Sequence, residues 1–145
     1  MSKRTSILKA LSEKFKEIDG TGIYTTNLFN NSYPKLKFWD EVNDFPAVYM
    51  SSGGETREYH PAQFAWGYLM ISIKAYVKGE DAHDQLEQLL EDLEKCIDAN
   101  RVLKYDTEQN YETTEILIQS ITTDEGLLAP YGVGEINIEV RYQIM

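Results

Sequence analysis

The sequence predicts an α+β fold: a largely antiparallel sheet with two helices packed on one face, forming a single domain over residues 1–145. Three observations lead there. Two stretches, one near the N-terminus and one past the middle, repeat apolar residues at helical spacing. Two others, beginning near Phe64 and at Ile136, alternate apolar and polar residues with period two. The order along the chain is helix, several strands, helix, two strands, so strands come in runs that favour antiparallel neighbours. A length of 145 residues suits one hydrophobic core, and 42% apolar with 26% charged residues permits packing and argues against wholesale disorder.

The first helix is expected from about Ser6 to Asp19: Ile7, Leu8, Leu11, Phe15 and Ile18 share a stripe, Ser6 can cap the start and Gly20 can stop the end. Residues Thr21 to Asp44 are rich in turn formers and aromatic rings, including Asn27, Asn30, Asn31, Pro34, Phe38 and Trp39, and read as short strands joined by loops. Pro46 to Ser51 reads as a strand, Gly53-Gly54 as a turn, and Glu55 to Tyr59 as the returning arm of a hairpin. Beyond Pro61, Leu69, Ile71, Ile73, Ala75 and Val77 fall on one face of a long strand; Trp66, Tyr68, Met70, Ser72, Lys74 and Tyr76 fall on the other.

Gly79 ends that strand. Ala82, Leu86, Leu89, Leu90, Leu93, Cys96 and Ile97 then form the apolar stripe of a helix of about five turns, opposite an acidic face of Glu80, Asp81, Asp84, Glu87, Glu91, Asp92, Glu94 and Asp98. Arg101 to Thr113 reads as a connection with few core residues, followed by a strand over Thr114 to Thr122 and a loop containing Gly126, Pro130, Gly132 and Gly134. Ile136, Ile138, Val140, Tyr142 and Ile144 alternate with polar residues in a closing strand.

Charge and composition narrow the function. A net charge of −10 and an isoelectric point near 4.6 repel phosphate, which disfavours gripping DNA, although the same potential suits a surface that DNA must slide past. One cysteine, Cys96, allows neither an intrachain disulfide nor a cysteine-based zinc site and gives no sign of an oxidising compartment. The first residues show no apolar run of signal-peptide or membrane length, so cytosolic assembly without a membrane is expected.

No catalytic, cofactor-binding or metal-binding residues are expected. The two imidazoles lie apart, His60 before Pro61 and His83 on the polar side of the second helix. His83 with Glu80, Asp84 and Glu87 has one-turn spacings able to hold a divalent cation, but any acidic helix offers such spacings and a solvated face accounts for them. Asp40, Glu41 and Asp44 lack ligands converging from separate elements and read as solvated loop charges. No phosphate loop, dinucleotide fingerprint or nucleophile elbow is present, and Cys96 sits on an apolar stripe as core. The aromatic face of the long strand is different, because Trp66, Tyr68, Met70 and Tyr76 would leave much apolar area in water. Either Thr21–Asp44 of the same chain covers it or a neighbouring subunit does.

Taken together, an amphipathic first helix, the strand Phe45-Pro46-Ala47-Val48-Tyr49-Met50 after an aromatic stretch, a glycine-containing hairpin, a long strand ending Tyr76-Val77-Lys78-Gly79-Glu80-Asp81-Ala82, a leucine-rich helix and the finish Ile138-Glu139-Val140-Arg141-Tyr142 resemble the tail terminator and neck proteins of long-tailed phages. The resemblance runs from about Ile7 to Ile144 and rests on the order and texture of elements. It implies a homo-oligomer, a six-membered ring in the virion that stops tail-tube growth and joins the tube to the head-side connector, with DNA passing through the lumen without specific binding. Its partners would then be the tail-tube protein and the connector protein. Subunit contacts are expected at Gly53, Gly54, Glu55, Arg57, Tyr59, Trp66, Tyr68 and Tyr76. Another neck or head-completion protein would share the size, acidity and lack of motifs. An acidic metal-dependent hydrolase would need a carboxylate or histidine cluster, and a small adaptor would use the Trp66 face for an unrelated partner.

Overall fold

The computed structural model describes residues 1–145 and contains two helices, a five-stranded sheet and a small two-stranded ribbon. Helix α1 spans Lys3–Phe15. It starts earlier than the expected Ser6 because Ser2 is the cap, its Oγ accepting from the Thr5 amide at 3.1 Å. Regular helix ends at Phe15, yet Ile18 stays fully buried, because tighter turns continue the coil through Ile18 N–H to the Phe15 carbonyl at 3.1 Å. Gly20, at φ +81°, then turns the chain away.

The aromatic stretch holds strand β1, Ser32–Tyr33, and a single 3-10 turn at Trp39–Glu41. Strand β2, Ala47–His60, is continuous, which corrects the expected hairpin turn at Gly53-Gly54. Pairing with β3, Phe64–Lys78, runs antiparallel from Ala47 opposite Tyr76 to His60 opposite Phe64. The glycine pair marks only a bulge, where the register shifts between Ser52 and Gly54. The true turn is at Pro61–Gln63, and its left-handed positions fall to Ala62 and Gln63, residues that carry no turn signal.

Helix α2 spans Ala82–Ala99 with the expected apolar stripe buried. One residue of its acidic face is misassigned by the period: Asp92 is 1% exposed. Its carboxylate accepts the Thr26 amide at 2.7 Å, the Thr25 amide at 3.3 Å and the Thr25 hydroxyl at 3.4 Å, pinning the loop after α1 onto α2. The expected plain connection after α2 is instead an ordered ribbon of β4, Lys104–Asp106, and β5, Tyr111–Glu112. Thr113 locks its base, accepting the Leu103 amide at 2.8 Å and donating to the Arg101 carbonyl at 3.2 Å.

Strands β6, Glu115–Thr123, and β7, Tyr131–Gln143, complete the sheet in the order β1-β2-β3-β7-β6, with only the β1–β2 pair parallel. Gly132 and Gly134, expected in a loop, lie inside β7. A Cβ on Gly134 would come within 3.1 Å of Leu86 and Leu90, so its bare backbone lets α2 settle directly on the sheet. Both helices share one sheet face with Val48, Met50, Leu69, Ile71, Ile73, Ile136, Ile138 and Val140, as the α+β expectation required. The core therefore lies between helices and sheet, and the opposite sheet face is left for other uses.

Candidate functional site

That opposite face divides along β3. At one end Tyr76 is only 3% exposed, packed with Val42, Ala47 and Tyr49 under Tyr33, Trp39 and Phe45. Its hydroxyl donates to the Lys37 carbonyl at 2.6 Å, and burial pushes its pKa up to about 12. The chain's own aromatic segment thus covers Tyr76, which is closed to a neighbour in the isolated protomer.

Toward the hairpin tip nothing from the chain lies over the face. Trp66 and Tyr68 are half-buried, their exposed sides flanked by Phe64, whose ring centroid is 5.0 Å from that of Trp66, and by Arg141, 4.9 Å above the Tyr68 ring. Arg141 Nε is buried and makes no hydrogen bond. Glu58 receives the Tyr68 hydroxyl at 3.3 Å and contacts His60 at 2.6 Å. Along β2, Gly53, Gly54 and Arg57 are exposed and Tyr59 is 64% exposed.

Glu55 is the one of that row with a largely buried side chain. Its side chain is 9% exposed; Tyr142 donates to one carboxylate oxygen, while Arg57 Nε at 2.8 Å and Arg4 Nη1 at 3.5 Å meet the other. Burial raises the carboxyl, but the hydrogen bonds from Tyr142 and Arg57, with the charges of Arg57 and Arg4, outweigh it and hold the pKa below the ordinary value. The network ties β2 to α1 and to the end of β7.

The sheet is open at both sides. β1 covers β2 only at Val48 and Tyr49, so β2 pairs with no outer strand from Met50 onward, and β6 pairs with none but β7. Leu117 at 37% and Ile121 at 40% exposure stand on the β6 edge. Sequence reasoning missed these two; the available signal was the unbroken run Ile116-Leu117-Ile118, which cannot all point inward from a strand. At the end opposite the hairpin tip, Phe29 and Phe38 are each 65% exposed. His, Cys, Asp and Glu side chains do not gather anywhere in threes about a cation-sized space. Burial pushes the Cys96 thiol up, the reverse of what a nucleophile needs.

This arrangement offers open strand edges, exposed rings and a few fixed charges. A family model described as Bacteriophage Tail Tube Terminator Protein matches residues 1–145. The chain is 38% identical over 153 aligned positions to the tail tube terminator protein p142 of Escherichia phage T5, covering 99% of this chain and 95% of that protein. Among solved structures, a chain from the virion of a native gene transfer agent particle shares the fold with a TM-score of 0.53 at 10% identity, over 94% of both chains.

Proposed function

Because this chain belongs to the bacteriophage tail tube terminator family, we propose that it works as one subunit of a six-membered ring that caps the tail tube and joins it to the head-side connector. The family places it in the virion tail as a structural protein and not an enzyme. The observation that carries the ring is the open sheet: two unlike free edges, β2 and β6, lie on opposite sides of one protomer. Unlike surfaces on opposite sides support head-to-tail contacts, which close into a ring when the rotation between copies fits.

The two ends of the strands supply the remaining surfaces. One carries the hairpin tip with Tyr59, Phe64 and Trp66; the other carries Phe29 and Phe38. In this reading they meet the tail-tube protein and the connector protein. Gly53, Gly54, Glu55 and Arg57 lie at contacts between copies, Tyr59, Trp66 and Tyr68 lie beside them toward the hairpin tip, and Tyr76 supports them from within. The net charge of −10 lets DNA pass through the lumen without being held.

Electron microscopy of particles assembled without this protein tests the reading. Tails of irregular length, or tails lacking heads, are expected. Normal tails joined to heads would overturn it.

A further inference from the structure

The following rests on the ring reading and gives the ring its joint. We propose that the β6 edge of one copy pairs antiparallel with the β2 edge of the next, Leu117 seating against Gly54 and Ile118 over the recess beside Gly53. Four observations lead to it.

First, the edges are free from Met50 to Thr56 on β2 and from Glu115 to Ile121 on β6; the next rows would set Thr122 and Thr123 against Tyr49 and Val48, whose outer side β1 holds, so the joint stops at Ile121. Their unpaired amide and carbonyl groups are a template for a further strand. Second, the senses agree. Each of β2–β3, β3–β7 and β7–β6 is antiparallel, so β2 and β6 run oppositely, and setting copies side by side makes an antiparallel junction without inverting either.

Third, the cross-sheet rows match. Following pairs across the sheet, Met50 leads through Ile73 and Ile136 to Ile121, Ser52 through Ile71 and Ile138 to Ile118, and Gly54 through Met70 and Glu139 to Leu117. An unstaggered junction therefore sets Leu117 opposite Gly54 on the face away from the helices, and Ile118 opposite Ser52 on the helix face. The register shifts at Gly53 and next to Gln119 keep side chains facing alike on both edges; without both, every residue beyond would point to the wrong side.

Fourth, beyond marking the bulge in β2, nothing within the protomer requires these positions to be glycine. Neither Gly53 nor Gly54 has a left-handed backbone, and a Cβ on either would meet nothing within 4 Å. Glycine in a strand interior weakens the strand, and it marks places where another backbone or side chain comes close. On the helix side the same residues border a recess with Arg4, Ser52, Glu55 and Leu69. Leu117, 37% exposed on the free edge of β6, supplies the side chain that fills the missing volume.

The test uses phage particles carrying Gly54→Cys with Leu117→Cys, treated with a short bis-maleimide and run on a denaturing gel. Native Cys96 is buried and stays silent. A ladder of multimers from the double variant, with neither single variant cross-linking, is the expected result. Dimers from Leu117→Cys alone would mean like edges meet, and would overturn the joint. A ring visible by electron cryomicroscopy at the end of the tube, with no ladder, would overturn the joint and leave the ring standing; no ring would remove both. Gly54→Val, which has room in the protomer, should leave the melting temperature unchanged or higher while abolishing incorporation into tails; normal incorporation would overturn the joint.

Discussion

Two ends of one strand face meet opposite fates. Tyr76 and Trp66 lie on the same side of β3, yet the first disappears under the chain's own Trp39, Phe45 and Tyr33 while the second keeps an open flank. An aromatic stripe on a strand can therefore mix two environments, and only the cover tells them apart: one end is core, the other keeps a flank in solvent.

That contrast can be broken by substitution. Tyr76→Ala should cost about 3–5 kcal/mol, as large-to-small changes of buried aromatic residues do, lowering the melting point by on the order of 10 °C in a thermal scan. An unchanged melting point would mean the aromatic segment is a loose flap. Asp92→Ala should come next, at about 1–3 kcal/mol, because it strands the Thr25 and Thr26 amides that pin the loop feeding that segment. Protection of those two amides in hydrogen exchange should fall with it. Trp66→Ala, by contrast, should cost about 1–2 kcal/mol, less than Tyr76→Ala, while reducing incorporation into particles. A large stability loss there would place Trp66 in the core after all.

Acid should produce a smaller and pH-dependent effect. Glu55, and Glu135 through Ser72 and Lys74, have carboxyls held below the ordinary 4.5 in the folded chain. A lowered folded pKa gives stability that is present above the unfolded value and lost as pH falls through the folded one. Melting temperature should therefore decline on acidification below about pH 4.5, and Glu55→Gln should flatten that decline. Tyr76 and Tyr142 work in the other direction. Both are raised to about 12 from 10, so the stability they contribute is intact below pH 10 and is lost between there and 12.

Much of this architecture could be read from the residues because one physical rule dominated each element. The faces of β3 and the stripe of α2 follow from alternation and from a helical period, and the structure keeps both. Where a second effect competed, the reading slipped. Gly53-Gly54 carries a strong turn signal, but pairing along β3 runs through it, and the actual turn uses Ala62 and Gln63 at positive φ, which composition does not advertise. Gly132 and Gly134 read as loop because glycine's other use, admitting a helix close to a sheet, depends on Leu86 and Leu90 from far along the chain. Asp92 looked solvated because its partners are backbone amides of a distant loop. The proposed contact surface is legible only in part. The exposed rings of the hairpin are there to be seen in the sequence, but the edge residues Leu117 and Ile121 emerge only when strand order reveals which strands have no outer neighbour.

The Glu55 anchor has a mechanical consequence. With its carboxylate held by Tyr142 from within the sheet and by Arg4 from α1, the free side of β2 is tied at Glu55 to two other elements of the protomer. If copies join along that strand as proposed, little conformational freedom is surrendered on contact, and association is the meeting of finished parts instead of coupled folding. Such a joint would hold a fixed angle, the condition for a small number of identical pieces to return to their starting point.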